Sequence, residues 1–155
     1  MNVPTSTSNP PNWIGIDVSK DSLSVYDLSA QHYQLYSNDG AGHQSLCKYL
    51  SRQTNVAVVC EATGGYEMTM ALTLHEQGWS VSIVNPRPVR DLAKAFGKLA
   101  KTDPIDAQMI AQYAQVTQPS ATAFTSESEQ ALKTWVVRRQ QLVEMLSAER
   151  NRQRQ

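Results

Sequence analysis

The stretch "WIGIDVSKDSLSVYDL", residues 13–28, decides the fold of this chain. Its two halves are rich in apolar and β-branched residues, and the turn formers "SKDS" separate them, so it predicts a β-hairpin. The alternating segment "HYQLYS", residues 32–37, predicts a third strand. "NVAVVCEA", residues 55–62, is a nearly continuous apolar run, which is typical of a central strand buried on both faces. The chain therefore begins with a meander that leads into a buried strand.

Helices and strands are predicted to alternate in the rest of the chain. A meander followed by alternating units indicates an α/β fold, a mixed sheet with flanking helices. Helical spacing or helix-start and helix-stop residues mark four segments, and "WSVSIVN" is a fifth strand. The predicted helices are residues 42–53, 64–78, 86–97 and 103–115, and the fifth strand is residues 79–85.

The predicted domain organisation has four parts. Residues 1–12 read as a disordered tail, 13–116 as one α/β domain, 117–126 as a linker and 127–155 as the start of a long helix. That helix carries an apolar stripe and reaches the end of the chain without a stop signal. Such a helix requires a partner, so we expect a coiled coil and expect that the chain is part of a longer protein.

Composition excludes several classes of protein. The 155 residues fit one domain with 41% hydrophobic and 18% charged residues. No apolar run approaches the ~20 residues that span a membrane, and the N-terminus does not resemble a secretory signal. Two cysteines form no disulfide framework, so we expect a cytoplasmic protein. The net charge of zero conceals an excess of acids before residue 86 and of bases after it.

Four acidic residues are candidates for a functional site, and each also has a simpler interpretation. Asp17 interrupts an apolar strand, or it simply ends the strand and caps the turn. Glu61 ends the next buried strand, or it is an exposed residue that opens a loop. Asp103 can be a helix N-cap, and Asp106 can be a first-turn acid that the helix dipole favours.

Considered together, the four acids indicate a metal site. Parallel neighbouring strands would place Asp17 and Glu61 side by side at the carboxyl edge of the sheet. Asp103 and Asp106 are three residues apart, so they share one face of their helix. Four carboxylates in one place would repel strongly unless divalent cations were bound. Two Mg²⁺ ions about 4 Å apart suit such ligands and can support phosphodiester chemistry.

Basic residues lie next to this predicted site. They recur at steps of three or four, which indicates either a track that binds nucleic-acid phosphates or an ordinary solvated helix face. Tyr66 follows two glycines, so it marks either a helix entry or a ring that contacts a nucleic-acid strand. The candidate nucleic-acid-binding residues are Arg87, Arg90, Lys94, Lys98, Lys101 and Tyr66.

Three motifs resemble, in order, the N-terminal half of the DEDD transposases of the IS one-ten group of insertion sequences. They are "IGIDVSKDSLSVYDL", "CEATGGYE" and "VNPRPVRDLAKAFGKLAKTDPIDAQMIAQYA". This group includes Piv-type DNA invertases and bridge-RNA-guided recombinases. The resemblance covers about residues 13 to 116, and its last motif is the most specific.

The resemblance implies a RuvC-like domain with an RNase H-like fold. By their positions in the motifs, Asp17, Glu61, Asp103 and Asp106 correspond to four catalytic acids that bind Mg²⁺, for which Mn²⁺ can substitute. The resemblance further implies a bacterial, nucleoid-associated protein. Such a protein recombines DNA as a dimer or tetramer and uses a structured guide RNA. A second domain with a nucleophilic serine follows in that family, and this sequence lacks it.

Two other classes of function stay open at this point. A non-catalytic module would use the fold to bind nucleic acid and the last helix to form oligomers. A sugar kinase or actin-like ATPase shares the RNase H-like core, and the first hairpin resembles its phosphate loop. The chain is, however, short for the two lobes of such an ATPase.

Overall fold

The computed structural model describes residues 10–97, 103–124 and 126–152. The predicted order of elements is confirmed, with three strands first and then helices that alternate with strands. The strands are β1 (Asn12–Val18), β2 (Ser22–Asp27), β3 (His32–Ser37), β4 (Val56–Glu61) and β5 (Ser80–Val84). The helices are α1 (Gly40–Leu50), α2 (Tyr66–Glu76), α3 (Pro86–Ala95), α4 (Asp103–Thr117) and α5 (Ser126–Arg152).

The five strands form one mixed sheet in the order β3-β2-β1-β4-β5. β1 pairs antiparallel with β2, and β2 pairs antiparallel with β3, so the predicted meander forms one side of the sheet. β1 pairs parallel with β4, and β4 pairs parallel with β5. In this register Ile16 lies opposite Cys60. The next residues, Asp17 and Glu61, therefore lie at or next to the ends of neighbouring parallel strands, at the same edge of the sheet.

Each face of the sheet has its own hydrophobic core because side chains alternate along a strand. One core includes Ile14 and Ile16 of β1 with residues of α1 and α2. The other core joins Trp13 of β1 to Val89 of α3 and Ile110 of α4. Burying each large aliphatic side chain stabilises the fold by about 1.5–3 kcal/mol. We call the side of the sheet that α3 and α4 cover the α3/α4 face. This face carries the candidate site.

Gly15 allows α4 to lie directly against β1. A Cβ atom at this position would collide with the carbonyl oxygen of Ala107 and would lie 2.5 Å from the backbone nitrogen of Ala111. Any larger residue would therefore push the helix away from the strand. The side-chain amide of Gln108 also donates a hydrogen bond to the hydroxyl of Tyr26 in β2, at 3.1 Å. Together these contacts determine where the N-terminal half of α4 meets the sheet.

The segment predicted as a linker, residues 117–126, is attached to the sheet. Thr117 is still helical, and in the described residues 118–124 the backbone N–H of Thr122 donates to the carbonyl of Val81 at 2.8 Å. The Thr122 hydroxyl in turn accepts from the N–H of Ile83 at 2.9 Å. The segment therefore covers the outer edge of β5, a contact that composition alone could not show.

α5 returns to the body of the domain at α2. The guanidinium of Arg139 lies 4.3 Å from the centre of the Tyr66 ring, an arrangement that favours a cation–π interaction. Large apolar side chains of α5 nevertheless remain on the surface, among them Trp135, which is 71% exposed. The long helix is confirmed, whereas its pairing as a coiled coil stays a prediction. Across the described ranges, no helix combines the length and apolarity that a membrane span requires.

Candidate carboxylate site at the sheet edge

Asp17 and Glu61 lie on the α3/α4 face. Asp17 lies on the same face of β1 as Gly15 and Trp13, because residues two apart on a strand point to the same side of the sheet. Glu61 likewise shares its face of β4 with Val59 and Ala57. Both side chains are half-buried. The simpler interpretation of Glu61, an exposed residue that opens a loop, is therefore wrong. A half-buried carboxylate at the end of a buried strand requires a compensating charge or hydrogen-bond donors.

Asp106 reaches the same place from α4. It lies in the first turn of that helix, one residue before Ala107, whose carbonyl oxygen packs against Gly15. Gly15 is two residues before Asp17 on the same face of β1, so the close packing of α4 brings Asp106 toward Asp17. Asp103 is the first residue of α4, and its side chain lies outside the described residues.

The electrostatics of Glu61 show that these groups share one neighbourhood. Burial, followed by the carboxylate of Asp17, raises the pKa of Glu61 to about 7. The guanidinium of Arg90 acts in the opposite direction, and Asp106 adds a further rise. Coulomb interactions weaken with distance and with solvent exposure, so Asp17, Asp106 and Arg90 each lie close enough to Glu61 to affect its charge.

This neighbourhood is not yet a closed coordination shell. Among the residues whose side chains are described, no three histidine, cysteine, aspartate or glutamate side chains are grouped closely enough to hold a metal ion. The side chain of Asp103, the fourth acid of the predicted set, is not among them. The four-carboxylate metal site therefore stays a prediction, supported by the placement of Asp17, Glu61 and Asp106.

α3 presents the described part of the predicted basic track. Asn85 caps this helix by accepting a hydrogen bond from the N–H of Arg87 at 2.9 Å, as the sequence predicts. Arg87, Arg90 and Lys94 are exposed, and Lys94 forms an ion pair with Asp91 at 3.4 Å. Arg90 differs from the others because its charge acts on Glu61. Lys98 and Lys101 lie outside the described residues.

Tyr66 begins α2 directly after the Gly64–Gly65 turn, as predicted for a helix entry. The turn requires glycine because φ is +79° at Gly64 and +122° at Gly65. One face of the Tyr66 ring is occupied by Arg139, so a nucleic-acid base would have to use the other face or displace that side chain. The role of Tyr66 in nucleic-acid binding stays a prediction.

Sequence reasoning missed two residues that organise the loops around the site. Glu67 is buried, and its carboxylate accepts hydrogen bonds from the N–H groups of Thr63 and Gly65 at 3.1 and 2.9 Å. The sequence offered one signal for Glu67, because it is an acid in the first turn of a helix directly after two glycines. Asn38 joins three separate segments through Ser19, Tyr66 and His43, and these contacts have no local signal in the sequence.

Comparison with known proteins identifies relatives at the level of sequence and of fold. A family model described as "Transposase", for the DEDD transposases of the IS one-ten group, matches residues 14–155. The pilin gene-inverting proteins of Moraxella bovis and Moraxella lacunata are each 28% identical to this chain over 147 residues. These matches cover 91% of this chain and 46% of each relative, so the chain spans about half of their length.

A solved structure shares the fold. T. thermophilus RuvC in complex with a Holliday junction substrate aligns with a TM-score of 0.51 and 15% sequence identity. The alignment covers 72% of this chain and 99% of the RuvC chain. At this identity the likeness concerns the fold alone, and it confirms the predicted RuvC-like, RNase H-like architecture.

Proposed function

Since this chain belongs to the DEDD transposase family of the IS one-ten group, we propose that it is the carboxylate-bearing domain of a DNA recombinase. In this proposal the domain cleaves and transfers DNA strands during transposition. Its catalytic and metal-binding residues are Asp17, Glu61, Asp103 and Asp106. A serine from a second domain, which the family resemblance implies, would complete strand exchange.

One observation carries the proposal, namely the convergence of acids from three elements at one edge of the sheet. The parallel register of β1 and β4 places Asp17 beside Glu61. The contact of α4 with Gly15 brings Asp106 to the same edge. Ligands clustered at the carboxyl ends of parallel strands are a common basis for active sites in α/β folds.

The donor set fits a hard divalent cation. Carboxylate oxygens are the side-chain ligands that Mg²⁺ and Mn²⁺ prefer, and the half-buried acids gain stability when positive charge compensates them. When bound, Mg²⁺ supplies charge that stabilises the attacking and leaving oxygens of a phosphodiester. The chain's own residues would hold the ligands in place. Arg90 is a base whose positive charge acts on Glu61 and lowers its pKa.

The proposed partners are DNA, a structured guide RNA and further copies of the chain. Exposed Arg87, Arg90 and Lys94 would contact phosphates along α3, with Lys98 and Lys101 continuing the track. The exposed apolar side chains of α5 support a dimer or tetramer formed through that helix. The guide RNA rests on the family resemblance.

Family membership favours this function over a sugar kinase or an actin-like ATPase. A domain that only binds nucleic acid and forms oligomers is the second candidate, and the exposed stripe on α5 is the observation that favours it. Dependence on a divalent cation separates the two, because a module that only binds nucleic acid has no need of clustered carboxylates.

The test is calorimetric titration of this chain with MgCl₂ and MnCl₂. We expect saturable binding that the Asp17→Asn substitution abolishes. The matched control is Glu144→Gln, which removes one negative charge from the exposed surface of α5 and should leave binding unchanged. Equal binding by the chain and by Asp17→Asn would refute the metal site, and the binding module would then be the better interpretation.

A further inference from the structure

Asn38 connects the two loops that leave the carboxylate edge. Its side-chain NH₂ donates to the carbonyl of Ser19 at 2.8 Å and to the carbonyl of Tyr66 at 3.2 Å. Its backbone N–H donates to the carbonyl of Asp21 at 3.0 Å. Ser19 and Asp21 belong to the turn between β1 and β2, whereas Tyr66 is the first residue of α2 and directly follows the loop between β4 and α2.

These two loops begin at the predicted metal ligands. The β1–β2 turn starts two residues after Asp17, and the β4–α2 loop starts directly after Glu61. Among the strand pairings of the described residues, none joins these two loops beyond the edge of the sheet. The amide of Asn38 therefore bridges the chain segment that follows Asp17 and the chain segment that follows Glu61.

A buried histidine lies against the oxygen of the Asn38 amide. Asn38 Oδ1 lies 2.9 Å from Nε2 of His43, which is 2% exposed. Burial lowers the pKa of His43, and the nearby Asp39 carboxylate raises it by less. Burial therefore favours the neutral form of this imidazole. Since the amide nitrogen already donates to two carbonyls, Oδ1 must accept, and His43 carries its proton on Nε2.

We propose that Asn38, oriented by His43, is a positioning residue that fixes the spacing between Asp17 and Glu61. Its link to metal binding rests on the proposed function. We call the hydrogen bonds from the Asn38 amide to Ser19 and Tyr66 the Asn38 clamp. The clamp itself rests only on these hydrogen bonds. A small change in the spacing of ligands is sufficient to weaken a metal site, because outer hydrogen-bond partners typically contribute 10- to 100-fold to affinity.

Two variants of Asn38 and one neighbouring control test the proposal. Asn38→Ala removes the bridge, and Asn38→Asp keeps the shape but replaces the donor by an oxygen that the two carbonyls repel. Asp39→Ala removes the N-cap of α1, where Asp39 accepts from the N–H of Gly42 at 2.8 Å. The control therefore weakens the same region without touching either loop at the site.

Hydrogen exchange and Mn²⁺ titration give two independent measurements. Both Asn38 variants should accelerate amide exchange in residues 19–22 and 62–66 together, and should raise the dissociation constant for Mn²⁺ about tenfold. Asp39→Ala should accelerate exchange in α1 and change the Mn²⁺ constant by less than about twofold.

The outcomes separate this proposal from the function on which it rests. If the unaltered chain does not bind Mn²⁺, the proposed metal site is wrong, and the exchange measurement alone decides on the clamp. Unchanged exchange in the two loops of the Asn38 variants would overturn the clamp. An equal loss of Mn²⁺ affinity in Asp39→Ala would overturn the positioning role, because any weakening of that region would then suffice.

Discussion

Glu61→Gln removes the charge of a predicted metal ligand and should stabilise the metal-free chain. The pKa of Glu61 rises from 4.5 to about 7 in the folded protein. A pKa difference of one pH unit corresponds to about 1.4 kcal/mol. Because Glu61 is partly exposed and solvent screens part of this effect, the ionised carboxylate lowers the free energy of unfolding at pH 8 by about 2–3 kcal/mol, and Gln, which resembles the protonated acid, avoids this cost.

The sign of the pH dependence follows from the raised pKa. Between about pH 4.5 and 7 the folded state holds a proton that the unfolded state has released, so stability falls as the pH rises. Urea denaturation in the presence of a chelator measures this. The advantage of Glu61→Gln over the unaltered chain should be near zero at pH 4.5 and about 2–3 kcal/mol at pH 8.

Glu144→Gln is the matched control for the loss of one carboxylate, because Glu144 is exposed on α5. It should change the free energy of unfolding by less than about 0.5 kcal/mol at either pH. If Glu61→Gln were neutral or destabilising at pH 8, Glu61 would not be held among like charges. The electrostatic argument for a shared carboxylate site would then fail.

Three further perturbations test the fold and the nucleic-acid surface. Gly15→Ala should lower the free energy of unfolding by about 2–3 kcal/mol and weaken Mn²⁺ binding, because α4 must move away from β1. Asp27→Ala should cost about 3 kcal/mol at pH 7, measured by urea denaturation, because hydrogen bonds from Tyr49 and the backbone of Ala30 are lost. Removing the charges of Arg90 and Lys94 should weaken binding of DNA and reduce the salt dependence of the association constant, by about 0.7–0.9 per lost phosphate contact.

The pH dependence of the Asp27 effect has the opposite sign to that of Glu61. Burial acts to raise the pKa of Asp27, but hydrogen bonds from Ala30, Tyr49, Asn12 and Ser29 together lower it below 3.8. The stability that its charge provides is therefore present above pH 3.8 and disappears as the pH falls through the lower folded value. An effect of Asp27→Ala that did not shrink in acid would contradict this account.

Matched controls exist for the other two perturbations. Gly40→Ala lies in open space at the start of α1 and should be neutral or slightly stabilising, in contrast to Gly15→Ala. Arg52→Ala removes an exposed positive charge beyond the end of α1, away from α3, and should leave the salt dependence unchanged. If Arg52→Ala and the α3 substitutions changed the salt dependence of DNA binding equally, the basic residues of α3 would be an ordinary solvated helix face.

Short-range patterns were sufficient to predict most of the architecture. Alternation predicted β3, the apolar run predicted β4, and a residue with capping ability predicted the start of α3 at Asn85. The predicted start of α1 at Gly42 lies two residues too late, because Asp39 is the N-cap and the helix begins at Gly40. The polar composition of the predicted linker does not reveal that Thr122 hydrogen-bonds to the edge of β5.

The sequence by itself determined that Asp17 and Glu61 lie near the ends of neighbouring strands, since strand periodicity and the preference for simple parallel connections are local or general rules. Only the tertiary structure decided the rest of the site: α4 against Gly15, Arg139 over Tyr66, and Asn38 between the two loops. These contacts join residues far apart in the chain. They depend on how particular side chains fill the space between packed elements, and a linear pattern does not encode that packing.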